Sequence, residues 1–208
     1  MEFYRPSHRT LIPRSFYERD PLICARELIG AVLAWNGCLA RVVETEAYDA
    51  ADDEACHTFF KPSARRFVEA HPPGTAYVYL NYGVHWMLNV LVRGSREGFV
   101  LFRGVEPLAG LEDMRERRGG LPVEKLGSGP GKLTQALGIT GSDHGRDLCA
   151  DFRRGFHRAP EALPVVADGR IGITRSIHLP WRFSAADHPH VSVRVKKAEA
   201  RREKSRLA

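Results

Sequence analysis

In the stretch VETEAYDAADDEACH, residues 43–57, acidic and aromatic side chains stand at spacings that a strand converts into one surface. Strand alternation sends Glu44, Glu46 and Tyr48 to the same face, so carboxylates and a phenol ring project side by side into whatever that face covers. A carboxylate held there can take a proton from water or stabilise a developing cation. Six carboxylates, Glu44, Glu46, Asp49, Asp52, Asp53 and Glu54, fall within residues 44–54, and His57 follows them. Glu54 and His57 have the E-x-x-H spacing found in some carboxylate-rich metal sites. No second histidine stands at matching spacing, so an acidic loop after an edge strand is the competing reading.

Three other segments carry candidate chemistry. Arg103 ends the apolar run FVLFR, where a guanidinium needs a carboxylate or a bound anion to offset its desolvation. Glu46 is the expected partner, and an arginine snorkelling to water is the simpler alternative. SGPGKLTQ falls short of a nucleotide phosphate loop, because Leu126 stands where the first Gly belongs and Leu133 where Ser or Thr would hold magnesium. It retains small residues ahead of a helix, with Gly131 and Lys132 in the first turn, where free N–H groups and one cation suit a DNA phosphate as well as they suit a plain helix entry. In YVYLNYGVHW, Tyr77 and Tyr79 share a strand face, Asn81-Tyr82-Gly83 makes a turn, and His85, Met87, Asn89 and Leu91 share a face of the returning strand. Tyr77 and Trp86 read as core. Tyr82 points outward at the apex, where a ring can wedge between base pairs.

The elements that must position these groups are legible in outline. RDPLICARELIG predicts a short helix with Asp20 as N-cap, Pro21 at the first position and Gly30 as its stop. Residues 41–48, 76–80, 84–92 and 99–105 are rich in β-branched and aromatic residues and predict strands. Helices are predicted from Pro107 to about Arg118 and from the Gly129-Pro130-Gly131 entry onward. The expected class is α+β: a single domain over 1–208, built around a curved, mainly antiparallel sheet, with a protruding hairpin and surrounding helices.

Composition narrows the partners. The 208 residues carry a net charge of +6. Residues 194–208 hold seven Lys or Arg against two Glu, so this basic tail supplies +5 and the body is nearly neutral. With six of its carboxylates gathered in 44–54, the rest of the body is basic on balance, as suits an enzyme acting on a polyanion. Four scattered cysteines, Cys24, Cys38, Cys56 and Cys149, and a polar start predict a reducing, cytoplasmic setting, and no apolar run is long enough to span a membrane.

Taken together, these segments resemble the alkyladenine DNA glycosylases, also called 3-methyladenine or methylpurine DNA glycosylases. The similarity runs through RDPLICARELIGAVL, ARVVETEAYDAADDEACH, PPGTAYVYLNYGVHWMLNVL, FVLFRGVEPLAGLEDMRERR, GSGPGKLTQALGI, RIGITRS and PWRF, from Arg19 to Phe183. The resemblance implies a monofunctional base-excision repair enzyme. Such an enzyme flips alkylated or deaminated purines from duplex DNA, among them 3-methyladenine, 7-methylguanine, hypoxanthine and ethenoadenine, and leaves an abasic site. It implies that Glu46 activates a water for attack on C1′, and that Arg103 and the backbone carbonyl of Ile171 hold that water. Tyr48, His57 and Tyr79 would enclose the base, Asn89 would crowd the exocyclic amine of guanine, and the inserted hairpin would place Tyr82 in the vacated stack.

Electron-rich Tyr48 and Tyr79 are further expected to attract a cationic alkylpurine. No metal and no cofactor is implied; the expected partner is double-stranded DNA containing damaged purines, met by a nucleoid-associated monomer that avoids membranes. Between His57 and Pro72 the chain departs from the family pattern, with Ser63-Ala64-Arg65-Arg66 and Glu69-Ala70 at the matching places. Arg65 and Arg66 in this loop remain candidates for DNA-backbone contact. Two other classes compete: a metal-dependent nuclease built on Asp49, Asp52, Asp53, Glu54 and His57, and a non-catalytic binder of distorted DNA using Tyr82 and the tail.

Overall fold

The computed structural model describes residues 10–158 and 161–194. Except for Arg194, the basic tail lies outside them. The chain forms α1 (Arg14–Tyr17), α2 (Pro21–Glu27), β1 (Val32–Trp35), β2 (Cys38–Asp49), α3 (His57–Phe60), α4 (Pro62–Ala70), β3 (Ala76–Asn81), β4 (His85–Arg93), β5 (Glu97–Ala109), α5 (Leu111–Arg117), α6 (Pro130–Leu137), β6 (Gly155–His157), β7 (Val165–Asp168) and β8 (Arg182–Ala185). Every strand pairing is antiparallel. The order is β3-β4-β5-β2-β1-β6, with β8 joining β2 and β7 joining β8, in a sheet curled into a half-barrel.

Period-2 alternation divides this sheet into two layers. On β5, Val100, Phe102 and Val105 enter the main core, while Phe99 and Leu101 enter a smaller cluster on the opposite face. β2, β3 and β4 repeat the pattern: Ala47, Val78 and Leu88 go to the main core, and Tyr48, Tyr77 and Met87 to the other side. Phe102 is wholly buried and stacks on Phe156 at 4.3 Å between ring centroids. Burial of a side chain of this size stabilises by about 2–3 kcal/mol. The smaller cluster borders the cavity that holds the candidate site.

β2 is the strand on which the layout turns. Its first residues pair with β1, and Glu44 to Glu46 pair with β8, while β5 runs along its other edge throughout. Where the change occurs, the β2–β5 register slips on both sides of Glu44, leaving Val43 and Arg103 without Cα partners. Bulges of this kind re-aim a side chain, and here the extra residue on β5 is Arg103.

Two predicted elements differ. The helix expected from Pro107 starts at Leu111, because β5 continues through Pro107, which faces Ala40, to Ala109, which faces Leu39. Residues 58–71, expected as a loop, hold the end of α3 and all of α4, which Pro62 opens at its first position. Ala64, Phe67 and Val68 form the buried stripe of α4, at the spacing of one helical face. Asp20 does precede α2, but its carboxylate bonds the Ser95 hydroxyl and the Arg96 N–H rather than its own helix. No helix of the described residues is long and apolar enough to cross a membrane.

Candidate active site

A cavity of about 570 Å³ opens between β2, α3, β3, β4, β5 and the segment 171–175 that follows β7. A space of this size suits a small organic group. Tyr48, His57, Tyr79, Asn89, Arg103 and Ile171 all line it, so residues far apart in sequence meet around one cavity. Tyr77, read from sequence as core, lines it too while remaining 7% exposed.

Glu46 lies immediately behind the wall made by Tyr48, Arg103 and Ile171 and has no exposed surface. Its Oε2 accepts from the Tyr48 hydroxyl at 2.7 Å, and its Oε1 accepts from the Ile171 N–H at 2.7 Å. Arg103 Nε stands 3.3 Å from the same Oε1 and 3.5 Å from Glu44 Oε1, so the bulge inserts a guanidinium between two buried carboxylates. Neither contact has the geometry of a hydrogen bond at Nε, which makes the attraction chiefly one of charge. Burial raises the Glu46 carboxyl above the usual range, opposed first by Arg103 and then by the Tyr48 and Ile171 hydrogen bonds. Ile171 thus engages Glu46 through its N–H, where the sequence comparison implied a role for its carbonyl.

Glu44 is held in turn by Arg182 at 3.0 Å and by the Ser192 N–H at 2.7 Å. Sequence reading placed Glu44 on the same face as Glu46 but had no signal for Arg182, which lies 138 residues away in the chain.

On the opposite wall, His57 Nδ1 meets the Tyr77 hydroxyl at 3.0 Å, and its Nε2 meets Lys61 Nζ at 3.3 Å. An ammonium can only donate, so Nε2 is the acceptor and Nδ1 carries the proton. Burial, and after it the Lys61 charge, lower the His57 pKa to about 4. His57 is therefore a neutral ring, packed 4.3 Å from Tyr79. Asn89 Nδ2 donates to the Tyr77 carbonyl at 3.1 Å, and its Oδ1 has no protein partner among the described residues.

The acidic stretch weighed as a metal site is tied to arginines. Asp49 pairs with Arg96 at 2.6 Å, Asp52 with Arg96 at 2.8 Å, and buried Asp53 forms a two-pronged pair with buried Arg170. Exposed Glu54 stands 3.9 Å from Arg175. Among the described residues no group of three or more His, Cys, Asp or Glu is placed to hold a metal ion. Arg170 is the functional neighbour that sequence reading missed. Its guanidinium lies 4.6 Å from the Tyr48 ring and 5.3 Å from the Trp181 ring, and it directly precedes Ile171.

Tyr82 sits at the tip of the β3–β4 hairpin, 88% exposed, on the cavity's rim. Val84 N–H closes the turn onto Asn81 carbonyl, and both central residues are left-handed, Tyr82 at φ +50 and Gly83 at φ +69. For a bulky side chain that conformation costs roughly 1–2 kcal/mol, and Tyr82 gains no packing in return. Gly131, at the start of α6, approaches the hairpin so closely that a Cβ there would meet His85 at 2.8 Å. Lys132 beside it is exposed, as are Arg65 and Arg66 on the outer side of α4.

The chain matches the family model described as methylpurine-DNA glycosylase over residues 15–189. It is 43% identical over 191 residues to a protein of Granulibacter bethesdensis whose name assigns it to the 3-methyladenine DNA glycosylases, covering 90% of each chain. A similarly named protein of Nitrosospira multiformis is 46% identical over 171 residues, 81% of this chain and 86% of the relative. One of Rhodopseudomonas palustris is 44% identical over 190 residues, 90% of each.

Proposed function

The chain belongs to the methylpurine-DNA glycosylase family, and from that membership we propose that it hydrolyses the N-glycosidic bond of alkylated or deaminated purines flipped out of duplex DNA. As a member it is a DNA glycosylase of DNA repair, and DNA is its partner. The observation that carries the finer reading is the buried Glu46–Arg103 pair standing behind an aromatic-walled pocket beside an exposed tyrosine.

In this mechanism the flipped base occupies the cavity among Tyr48, His57 and Tyr79. As the bond breaks, C1′ gains oxocarbenium character, which the nearby carboxylate stabilises. The attacking water is held in front of Glu46, beside Arg103 and Tyr48, which both touch that carboxylate, and Glu46 receives its proton. Because Glu46 has no surface of its own in the cavity, the proton reaches it after DNA binding opens the wall or by way of the Tyr48 hydroxyl. Catalytic hydrogen bonds commonly tighten only in the substrate complex, so the enclosure of the free protein is compatible with either route. Asn89, which lines the cavity, would crowd the exocyclic amine of guanine. Arg65, Arg66, Gly131 and Lys132 would meet backbone phosphates, and Tyr82 would fill the vacated stack.

The reading is tested by incubating duplexes that each carry one defined lesion with the protein in EDTA. Free hypoxanthine or 3-methyladenine is expected, without strand scission and without a borohydride-trapped adduct. Strand cleavage without base release, or a trapped adduct, would refute it. For Tyr82→Ala, binding to a paired-lesion duplex is expected to weaken by about 10- to 100-fold, the scale of lost base–aromatic stacking. Release from an unpaired lesion should stay near the wild-type rate. Equal losses on both substrates would count against the wedge.

A further inference from the structure

Both aromatic walls expected to attract a cationic purine already carry a protein cation: Arg170 lies 4.6 Å from the Tyr48 ring centroid, and Lys61 lies 5.2 Å from that of Tyr79. The two cations are not equivalent. Arg170 is neutralised by its two-pronged pair with Asp53. Lys61 has no carboxylate within 4.0 Å among the described residues. Its ammonium is held by the lone pair of His57 Nε2 at 3.3 Å and by the faces of Tyr79 and Phe60, the latter at 5.8 Å. Its charge therefore stands uncompensated against one wall of the cavity.

A ring quadrupole that already faces one cation attracts a second less, and two like charges separated by one aromatic ring repel through a partly desolvated medium. We infer that Lys61 is a positioning residue for specificity, which acts through Tyr79 and His57 to turn the pocket away from cationic alkylpurines and toward neutral purines. Its hold on His57 serves the same end. With Nε2 occupied by Lys61 and Nδ1 by Tyr77, the imidazole presents the base with a neutral ring and no free proton acceptor for a cationic lesion. Burial lowers the Lys61 pKa from its ordinary value, but a strongly basic amine keeps its proton near neutrality.

The inference rests on the reading of this chain as a purine glycosylase, and the experiment keeps the two apart. Single-turnover release is measured from duplexes carrying one 7-methylguanine, which is cationic, or one hypoxanthine, which is neutral, for wild type, Lys61→Met, Lys61→Gln and Lys61→Arg. Either neutral variant should raise the ratio of cationic to neutral release by roughly tenfold, and Lys61→Arg, which keeps the charge over the ring, should hold the ratio within about twofold of wild type. A merely structural role would lower both rates together and leave the ratio unmoved. A ratio unchanged in the folded neutral variants, or moved as far in Lys61→Arg, overturns the role of Lys61 while leaving the enzyme's activity standing. Failure of the wild type to release either base overturns the glycosylase reading itself before any variant is needed.

Discussion

Glu46→Gln is expected to lower base release from a hypoxanthine duplex by roughly 10²- to 10⁴-fold, the usual cost of removing a positioned general base. Glutamine keeps the shape of the side chain and an acceptor for the Ile171 N–H, and Tyr48 can turn to accept from the new amide. The fold should therefore survive, with a Tm within a few degrees of wild type. Burial already raises the Glu46 pKa above that of an ordinary glutamate, so its ionised form is the costly one, and a neutral replacement is tolerated. Stability contributed by the protonated group is present below the pKa of an ordinary glutamate and fades as pH rises through the raised folded pKa. Activity follows the opposite sign: the base is competent only when ionised, so wild-type release of a neutral lesion should rise with pH along a limb centred above the ordinary glutamate range. Tyr48→Phe removes a donor to the ionised form and should move that limb to higher pH. A plateau that also falls identifies the hydroxyl as a proton relay, whereas a retained plateau identifies direct transfer to Glu46. Full turnover by Glu46→Gln would sink the water mechanism.

How much of this site could be read from the chain depends on how far apart the interacting residues lie. Glu44, Glu46 and Tyr48 alternate within five positions, so strand geometry alone brought them to one face. Tyr82 announced itself because a large ring in a turn has no local reason to be there. The end of β5 was misread because Pro107 and the following leucines look like a helix start, and only the pairing with Leu39 and Ala40 overrides that local preference. Lys61 stayed hidden for a related reason. It lies four residues after His57, the spacing of one helical turn, but the segment reads as a loop until α3 is seen. The partners of Glu44 and Asp53, Arg182 and Arg170, lie 138 and 117 residues away, and nothing in local pattern links them.

The Asp53–Arg170 pair also carries the largest expected effect on stability. Both side chains are fully buried, and Arg170 spans the gap between β2, through the Ala47 carbonyl at 3.0 Å, and the segment that ends in Ile171. Asp53→Asn keeps the volume but removes the charge and points an amide donor at a guanidinium that has only donors. An unpaired buried charge costs about 3–5 kcal/mol. In a chain of this size each kcal/mol moves Tm by roughly 2–4 °C, so a fall near 10 °C is expected by thermal denaturation. Turnover should fall as well, even well below the new Tm, because the backbone whose N–H meets Glu46 is anchored by the residue just before it. The double variant Asp53→Leu, Arg170→Met leaves no buried charge and should recover much of the lost stability. It should not recover turnover, since neither new side chain can bond the Ala47 carbonyl and fix Ile171. A Tm within 2 °C of wild type for Asp53→Asn would mean that the pair contributes no more than a surface ion pair. Restored turnover in the double variant would mean that Ile171 is held by the strands on either side of it and owes nothing to Arg170.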